Sequence, residues 1–297
     1  MSGETERVRS SVGDPAQVKQ CCARLYESEL VTRLLGDSFH PGGAAMTERL
    51  GERVGLSASS RVLDAASGRG ASAFVLARRF GCSVLGIELS AHNVELAQAE
   101  ALRLGLADRV RFQVGDAECL PVEDASVDAV ICECAFCTFP DKATAASEFV
   151  RVLRPGGIVG ISDITRAAGP PGEFDDLMAW VACLADARSA DAYAGWLIDA
   201  GLVNALVEGH DHTLTEMVRS IGQKLFAAEL LAGLKKIDLE GIDLTAAKRL
   251  TRQALTAVAD GRLGYVIVSA AKPAQPPGVS DLRDGRGNTL ATKITGL

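Results

Sequence analysis

The stretch Val62-Leu-Asp-Ala-Ala-Ser-Gly-Arg-Gly-Ala71 decides the fold of this chain. Its apolar start predicts a buried strand, and its small residues predict a turn into a helix that starts near Ala71. Gly68 and Gly70 lack a Cβ, so the turn can take positive φ and its backbone can approach a ligand at the helix N-terminus. The pattern therefore predicts a loop that binds a nucleotide cofactor.

The segments that follow narrow the kind of cofactor. A second strand, Gly81-Cys-Ser-Val-Leu-Gly-Ile-Glu88, ends in an acid placed to hold a ribose diol, and up to this point a dinucleotide fits as well. Asp64 lies inside the first loop and gives the series acid-x-small-x-Gly-x-Gly. A third strand at 110–114 is followed by Gly115-Asp116-Ala117. These two features favour a cofactor other than a dinucleotide.

The series resembles the class I S-adenosylmethionine-dependent methyltransferases over roughly residues 50–165. The resemblance places Asp64 near the methionine end of the cofactor, Glu88 on the ribose and Asp116 at the adenine amine. Ala66 departs from the pattern, since the family usually has glycine there. The cofactor-binding residues that the resemblance implies are Asp64, Ala66, Ser67, Gly68, Gly70, Glu88, Leu89, Asp116, Ala117 and Cys132.

Alternating strand and helix patterns predict an α/β fold with a doubly wound, mostly parallel sheet. The resemblance implies seven strands, and the sequence adds an N-terminal helical lid and a helical insertion near the C-terminus. Strands are predicted near 61–65, 83–88, 110–114, 127–133, 158–163, 202–208 and 263–271, and helices over 14–35, 44–54, 91–104, 173–186, 190–200, 213–235 and 244–259. The predicted divisions are a lid (1–50), a cofactor-binding core (51–168), substrate-shaping helices with closing strands (169–272) and a disordered tail (273–297).

Composition limits the classes of partner. A net charge of −7 without a long Lys/Arg cluster argues against a nucleic-acid substrate. The N-terminus lacks an apolar leader and no apolar stretch approaches about 18 residues, so a cytoplasmic protein without membrane spans is expected, either monomer or homodimer. In that compartment the eight cysteines should be reduced thiols.

Three of these cysteines, Cys132, Cys134 and Cys137, cluster at the end of the fourth predicted strand. Ligands of a doubly wound sheet gather at the carboxyl ends of its strands, so these thiols are expected near the reactive end of the cofactor. Strand alternation predicts that Cys132 and Cys134 share one side. Cys21-Cys22 on the N-terminal helix and Cys183 on a downstream helix are expected to join them, because thiolates from separate segments suit a thiophilic centre.

The stretches Ile131-Cys-Glu-Cys-Ala-Phe-Cys-Thr-Phe-Pro-Asp-Lys142, Trp180-Val-Ala-Cys183-Leu-Ala-Asp and Cys21-Cys22 resemble the arsenite methyltransferases more narrowly. The resemblance implies Cys134 and Cys183 as the arsenic-binding pair, with the Cys21-Cys22 pair as further catalytic thiols. Cys137 is a further catalytic candidate because of its place at the end of the fourth strand. It also implies cellular thiol reductants as partners. The family's Gly-Cys-Gly segment before the cofactor loop is replaced here by Gly36-Asp-Ser-Phe-His-Pro-Gly-Gly43, which leaves room for a different acceptor.

Several of the cysteines and histidines also have structural interpretations. Cys82 is interpreted as a buried packing residue of the second strand and Cys119 as a structural spacer near the adenine pocket. The Cys132–Cys137 cluster could be half of a zinc site, although closed zinc sites usually draw on loops. His210 and His212 fit a solvated turn better than a metal chelate, and His40 fits a hydrogen-bonding loop residue slightly better than a general base.

Three functional hypotheses follow. The first is methyl transfer from S-adenosylmethionine to a thiolate-bound trivalent arsenical or related acceptor. The second is methylation of a small organic metabolite, with structural cysteines, and the third is a thiol or metalloid sensor without catalysis. An NAD-dependent oxidoreductase is disfavoured by Asp64 and Asp116.

Overall fold

The structure is a computed structural model that describes residues 40–167, 184, 186–233 and 243–274. Its centre is a seven-stranded sheet with the order β3-β2-β1-β4-β5-β7-β6, in which only β7 runs antiparallel to its neighbours. The strands are β1 Arg61–Ala65, β2 Ser83–Glu88, β3 Val110–Val114, β4 Val127–Glu133, β5 Leu153–Arg166, β6 Val203–Gly209 and β7 Leu263–Ala271. This order confirms the predicted doubly wound, mostly parallel fold.

Helices connect the strands and cover the sheet. They are α1 Gly43–Arg53, α2 Ala71–Phe80, α3 Ala91–Arg103, α4 Lys142–Val152, α5 Ala190–Asp199, α6 Asp211–Gly233 and α7 Leu244–Ala259. The start of α3 shows why the sequence predicts helices well here, because the Ser90 hydroxyl accepts the Asn93 N–H over 3.0 Å as an N-cap. Two helices, α6 and α7, separate β6 from β7, which confirms the predicted insertion.

The chain order reverses between β1 and β4, which are neighbours in the sheet and leave it at the same edge. Such a switch point opens a crevice beyond the carboxyl ends of the strands. Helix α1 packs tightly against this part of the sheet. Gly160 of β5 permits the contact, since a Cβ there would lie 2.7 Å from Val54 and 2.8 Å from Leu50. The close approach brings the polar residues of α1 to the carboxyl ends of β4 and β5.

Strand β5 is longer than predicted. The segment Leu153-Arg-Pro-Gly-Gly157 has the composition of a turn, yet it belongs to the strand. Long-range pairing explains this, because Leu153 pairs with Val127 and the Lys272 N–H donates to Gly157 O over 2.8 Å. The predicted helix over 14–35, residues 173–183 of the predicted helix over 173–186, and the residues of the lid before His40 lie outside the described residues. Leu184 and Asp186 are described and are not helical.

Across the described ranges, no helix is long and apolar enough to cross a membrane.

Candidate active site

The loop after β1 is built from three residues with left-handed backbone. Ala66, Gly68 and Gly70 have φ angles of 61°, 54° and 83°. The Gly70 N–H donates to Ser67 O over 2.9 Å, and a Cβ on Gly70 would lie 2.4 Å from Cζ of Phe112, so the position needs glycine. A Cβ on Gly68 would meet no described atom within 4 Å. The loop therefore faces open space that a ligand can enter.

Ala66 adopts the backbone that the family's glycine would provide without strain. The left-handed conformation costs an L-residue roughly 1–2 kcal/mol, whereas glycine loses about 0.5–1 kcal/mol of additional chain entropy on folding. We expect Ala66→Gly to raise the free energy of unfolding by up to about 1 kcal/mol. Urea denaturation of both proteins tests this, and a clear loss of stability in the glycine variant would show that the Ala66 methyl group packs usefully.

Asp64 and Ser67 carry buried polar atoms without a partner. Asp64 Oδ2 and Ser67 Oγ are two of the buried side-chain atoms without a hydrogen bond in the part of the chain that the structure describes. Burial, followed by the charges of Glu133 and Glu88, raises the pKa of Asp64 to about 8. Unpartnered buried groups are costly, so both atoms indicate that a ligand completes the site. A cation beside Asp64 would offset the repulsion between the three carboxylates.

Glu88 at the end of β2 is held in place by the same loop. Its Oε2 accepts the Gly68 N–H over 2.9 Å and its Oε1 accepts the Ser90 N–H over 2.9 Å. These two backbone hydrogen bonds fix the orientation of the carboxylate at the carboxyl end of β2. Leu89 follows and is 38% exposed, consistent with a surface available to a ligand. The role of Glu88 at a ribose diol stays a prediction.

Replacing Glu88 with Ala should weaken the binding of S-adenosylmethionine by about 1.5–3 kcal/mol, because charge-assisted hydrogen bonds to the ribose are lost. Calorimetric titration measures the change. Glu100→Ala is a matched control, since Glu100 pairs with Arg103 on the exposed side of α3 and should leave the affinity unchanged. Equal affinity of wild type and Glu88→Ala would contradict the ribose assignment.

The third predicted cofactor residue follows β3. Asp116 Oδ1 accepts the Glu118 N–H over 2.9 Å, and the Cys119 N–H donates to Asp116 O over 3.0 Å. The turn thus holds Asp116 beside the end of β2, where Gly115 N–H donates to Glu88 O. Ala117 is buried. The structure therefore brings the predicted residues of β1, β2 and β3 to one edge of the sheet. The role of Asp116 at the adenine stays a prediction.

The thiols at the end of β4 differ in environment. Cys132 and Cys137 are buried, whereas Cys134 is partly exposed. Burial, followed by the charges of Asp163 and Asp64, raises the pKa of Cys132 well above its ordinary value, so it remains a neutral thiol. Cys137 lies in a short 3-10 turn, where its N–H donates to Asp163 Oδ2 over 2.8 Å.

Cys134 stands just beyond β4, which ends at Glu133. Its φ of 49° is left-handed, and its N–H still donates to Ser162 O over 2.8 Å. The strand alternation that predicted a shared side for Cys132 and Cys134 therefore does not extend to Cys134. Burial, followed by the charge of an ionised Cys134, raises the pKa of Tyr265. Non-glycine residues in this conformation are strained and concentrate at functional sites.

A buried polar cluster around Glu133 was missed by the sequence analysis. Thr47 of α1 donates to Glu133 Oε2 over 2.9 Å, and Ser162 of β5 donates to Oε1 over 3.2 Å. The Tyr265 hydroxyl donates to Ser162 Oγ over 3.0 Å. Glu133 lies at a carboxyl end beside the predicted thiols, and that position alone could have marked it. Its carboxylate is one strand away from Asp64 in the sheet.

His40 belongs to this cluster. Its Nε2 lies 3.4 Å from Thr47 Oγ1 and 3.7 Å from Glu133 Oε2. Because the only hydroxyl proton of Thr47 is donated to Glu133, His40 Nε2 is the donor to Thr47. This geometry supports the interpretation of His40 as a buried hydrogen-bonding residue.

The remaining candidate residues either have structural contacts elsewhere or lie outside the residues that the structure describes. His210 Nε2 pairs with Glu208 Oε1 at 2.9 Å, and among the residues described here no group of three His, Cys, Asp or Glu side chains could hold a metal. Burial raises the pKa of Cys82 to about 11, consistent with a packing role. Cys21, Cys22 and Cys183 lie outside the described residues, so their roles stay predictions.

Comparison with known proteins gives a consistent family. Residues 63–161 match a family model described as "Methyltransferase domain". The chain is 34% identical to methyltransferase GfsG of Streptomyces halstedii, over 80% of this chain and 83% of the relative. It is 28% identical to 27-O-demethylrifamycin SV methyltransferase of Amycolatopsis mediterranei, over 83% of this chain and 94% of the relative. It is 29% identical to an arsenite methyltransferase of Halobacterium salinarum, over 71% of this chain and 58% of the relative.

Solved structures agree on the fold. Phosphoethanolamine N-methyltransferase 2 of Haemonchus contortus, in complex with S-adenosylhomocysteine, superposes with a TM-score of 0.70 at 22% identity, over 82% of this chain and 56% of that one. The loop after β1, the acid at the end of β2 and the unpartnered Asp64 Oδ2 fit S-adenosylmethionine as the cofactor. With a relative at 34% identity over most of both chains, this protein belongs to the class I S-adenosylmethionine-dependent methyltransferases.

Proposed function

We propose that this enzyme methylates a trivalent arsenical or a related thiophilic acceptor bound by the Cys134 thiolate. The observation that supports the proposal is the placement of Cys134. It is the partly exposed thiol at the carboxyl end of β4, next to the strand that carries Asp64. A soft thiolate at this place can hold a soft, electron-rich centre in front of the cofactor.

Methyl transfer to such an acceptor requires little acid–base catalysis from the protein. When bound, S-adenosylmethionine supplies a methyl group activated by the positive charge on its sulfur. Asp64 would lie near that charge, and Glu88 would hold the ribose. Cys134 would displace a hydroxyl from arsenic, forming an As–S bond and releasing water. What remains for the chain is to align the acceptor at about 3 Å from the methyl carbon and to exclude water.

The acceptor needs more than one thiolate to be held firmly. Cys132 and Cys137 are buried in the core and cannot reach open space without rearrangement. The proposal therefore assigns the second ligand to Cys183, with Cys21 and Cys22 as further candidates, and all three lie outside the described residues. A thiol reductant such as glutathione would keep these cysteines reduced and deliver arsenic as an exchangeable complex.

The hydroxyl group of a small organic molecule is a second candidate acceptor. Glu133 favours it, because a carboxylate with a buried side chain one strand from Asp64 can accept the proton that a hydroxyl loses on methylation. Thr47 and Ser162 already donate to this carboxylate, which leaves acceptor positions free. The similarity to the rifamycin methyltransferase, whose name specifies a 27-O position, agrees with this candidate.

An acceptor panel separates the two candidates. Purified enzyme is incubated with methyl-labelled S-adenosylmethionine and either arsenite with glutathione, a trivalent monomethyl arsenical, a hydroxylated aromatic or macrocyclic compound, or phosphoethanolamine. The proposal predicts labelled methylarsenicals. Labelled ethers with no labelled arsenical would contradict it and support the hydroxyl acceptor.

A further inference from the structure

A buried ion pair connects the loop after β4 to a distant part of the chain. Lys142, the first residue of α4, is 5% exposed in its side chain, and its Nζ lies 2.5 Å from Asp186 Oδ2. The same ammonium donates to Phe139 O over 3.0 Å and stands 5.8 Å from the ring centroid of Trp196. The ion pair therefore ties the end of the loop that begins at Cys134 to the segment before α5.

The segment on the other side of the pair is firmly anchored. Asp186 also pairs with Arg188, and the Arg188 N–H donates to the Tyr193 hydroxyl over 3.0 Å. That hydroxyl in turn donates to Ile164 O of β5 over 2.9 Å. Ala187 is buried in the core. Asp186 is thus a fixed point on the sheet.

An aromatic cluster packs the interior of the loop onto the same segment. Phe136 lies between Cys134 and Cys137 in the chain and is fully buried. Its ring contacts Phe139 within the loop, and Tyr193 and Trp196 on α5, at centroid distances of 5.7, 5.9 and 6.1 Å. Such packing holds the loop down but tolerates small sliding. The directional ion pair at Lys142 selects one position.

A buried ion pair contributes little net stability compared with apolar residues of similar size, because both charges must leave water. Its distinctive property is a fixed geometry. We propose that Lys142 and Asp186 are positioning residues of the acceptor site, which hold the loop after β4 in the one position that presents Cys134 to the acceptor. One part of this inference, that Cys134 binds the acceptor, rests on the proposed function.

The effect should fall on the acceptor and spare the cofactor. The residues assigned to S-adenosylmethionine lie in and directly after β1, β2 and β3, with Cys132 inside β4 itself, whereas the ion pair joins the loop after β4 to the segment before α5. Displacement of a reacting group by about 1 Å can lower a rate by about 10²-fold. Loss of the pair should therefore lower kcat/KM for arsenite by about ten- to a hundredfold and leave the affinity for S-adenosylmethionine within about twofold.

Thiol alkylation tests the position of Cys134 without any acceptor. Wild type, Lys142→Met, Asp186→Leu and the double variant are treated with iodoacetamide, and modified peptides are followed by mass spectrometry. Exposed Cys119 is an internal control in each protein. Arg154→Met is a matched control, since it breaks an ion pair with Asp128 near the starts of β4 and β5, at the other end of these strands from Cys134. Cofactor affinity verifies that each variant is folded, and Asp186→Asn replaces any variant that is not.

The proposal predicts that the alkylation rate of Cys134, relative to Cys119, changes by about tenfold in each single variant and no further in the double variant, because the pair acts as one unit. In the same variants kcat/KM for arsenite falls. Unchanged alkylation of Cys134, effects that add in the double variant, or an equal change in Arg154→Met would overturn it. If wild type does not methylate arsenite, the proposed function fails while the alkylation result still decides the positioning role.

Discussion

Replacing Cys134 with Ser should lower kcat/KM for arsenite by about 10²-fold or more, while the affinity for S-adenosylmethionine stays within about twofold. Loss of groups that merely orient the ligands of a bound metal already costs about 10–100-fold, so loss of a direct ligand should cost at least as much. Serine keeps the size of the side chain but its hard oxygen is a poor ligand for a soft centre. Steady-state methyl transfer and calorimetry measure the two quantities.

The same assay with Cys183→Ser and with the double variant tests joint ligation. Two residues that hold one centre act as a unit, so either single replacement should be nearly as damaging as both. Cys119→Ser is the control, because Cys119 is exposed and outside the proposed ligand set. Wild-type turnover in Cys134→Ser, or costs that simply add in the double variant, would contradict joint ligation.

The affinity for S-adenosylmethionine should rise with pH up to about pH 8, by as much as about tenfold per unit. Burial, then Glu133 and Glu88, raises the pKa of Asp64 to about 8, so the protein without ligand holds a proton there at neutral pH. A cationic ligand favours the carboxylate, and binding below pH 8 must release that proton. Calorimetry in buffers of different ionisation enthalpy measures the release directly.

Two controls isolate Asp64 as the titrating group. Asp64→Asn should bind the cofactor with little pH dependence, and S-adenosylhomocysteine, which lacks the sulfonium charge, should show a weaker dependence in the wild type.

Asp64 should also affect folding stability, and the sign of its pH dependence is opposite to the usual one for a carboxylate. Its pKa is about 3.9 when unfolded, so the folded state holds the extra proton between about pH 4 and pH 8. The contribution of Asp64 to the free energy of unfolding therefore falls as pH rises through this range. A pH-independent affinity in the wild type would contradict the assignment.

Local sequence patterns predicted the sheet well. Strands β1 to β4 and β7 begin and end where the alternation of strand and turn residues placed them, because buried strands carry dense apolar runs bounded by turn residues. The start of β5 was missed, since Pro155, Gly156 and Gly157 have turn chemistry that only long-range pairing overrides.

The site was predictable only where a local motif defines it. The loop from Asp64 to Gly70 and the acid Glu88 form such a motif, and the structure brings them together through the Gly68 N–H. The contact of Thr47 with Glu133 joins residues 86 positions apart, and no local pattern records it. The same holds for Lys142 and Asp186, whose pairing depends on how the segment before α5 packs on β5.

The left-handed backbone of Cys134 was not predicted, because the side assigned to Cys134 assumed that strand alternation extends one residue past the predicted end of β4. A cysteine gives no local signal for such a conformation, whereas a glycine would. The consequence for the site is direct, since this turn separates the partly exposed Cys134 from the buried Cys132.

Arsenic X-ray absorption detects thiolate coordination of the acceptor at Cys134 without relying on turnover. The enzyme is loaded with arsenite in the presence of S-adenosylhomocysteine, which permits binding but not methyl transfer, and free glutathione is removed. The account predicts arsenic coordinated by sulfur in the wild type and one fewer sulfur ligand in Cys134→Ser. Oxygen coordination in the wild type, or identical sulfur coordination in Cys134→Ser, would contradict it.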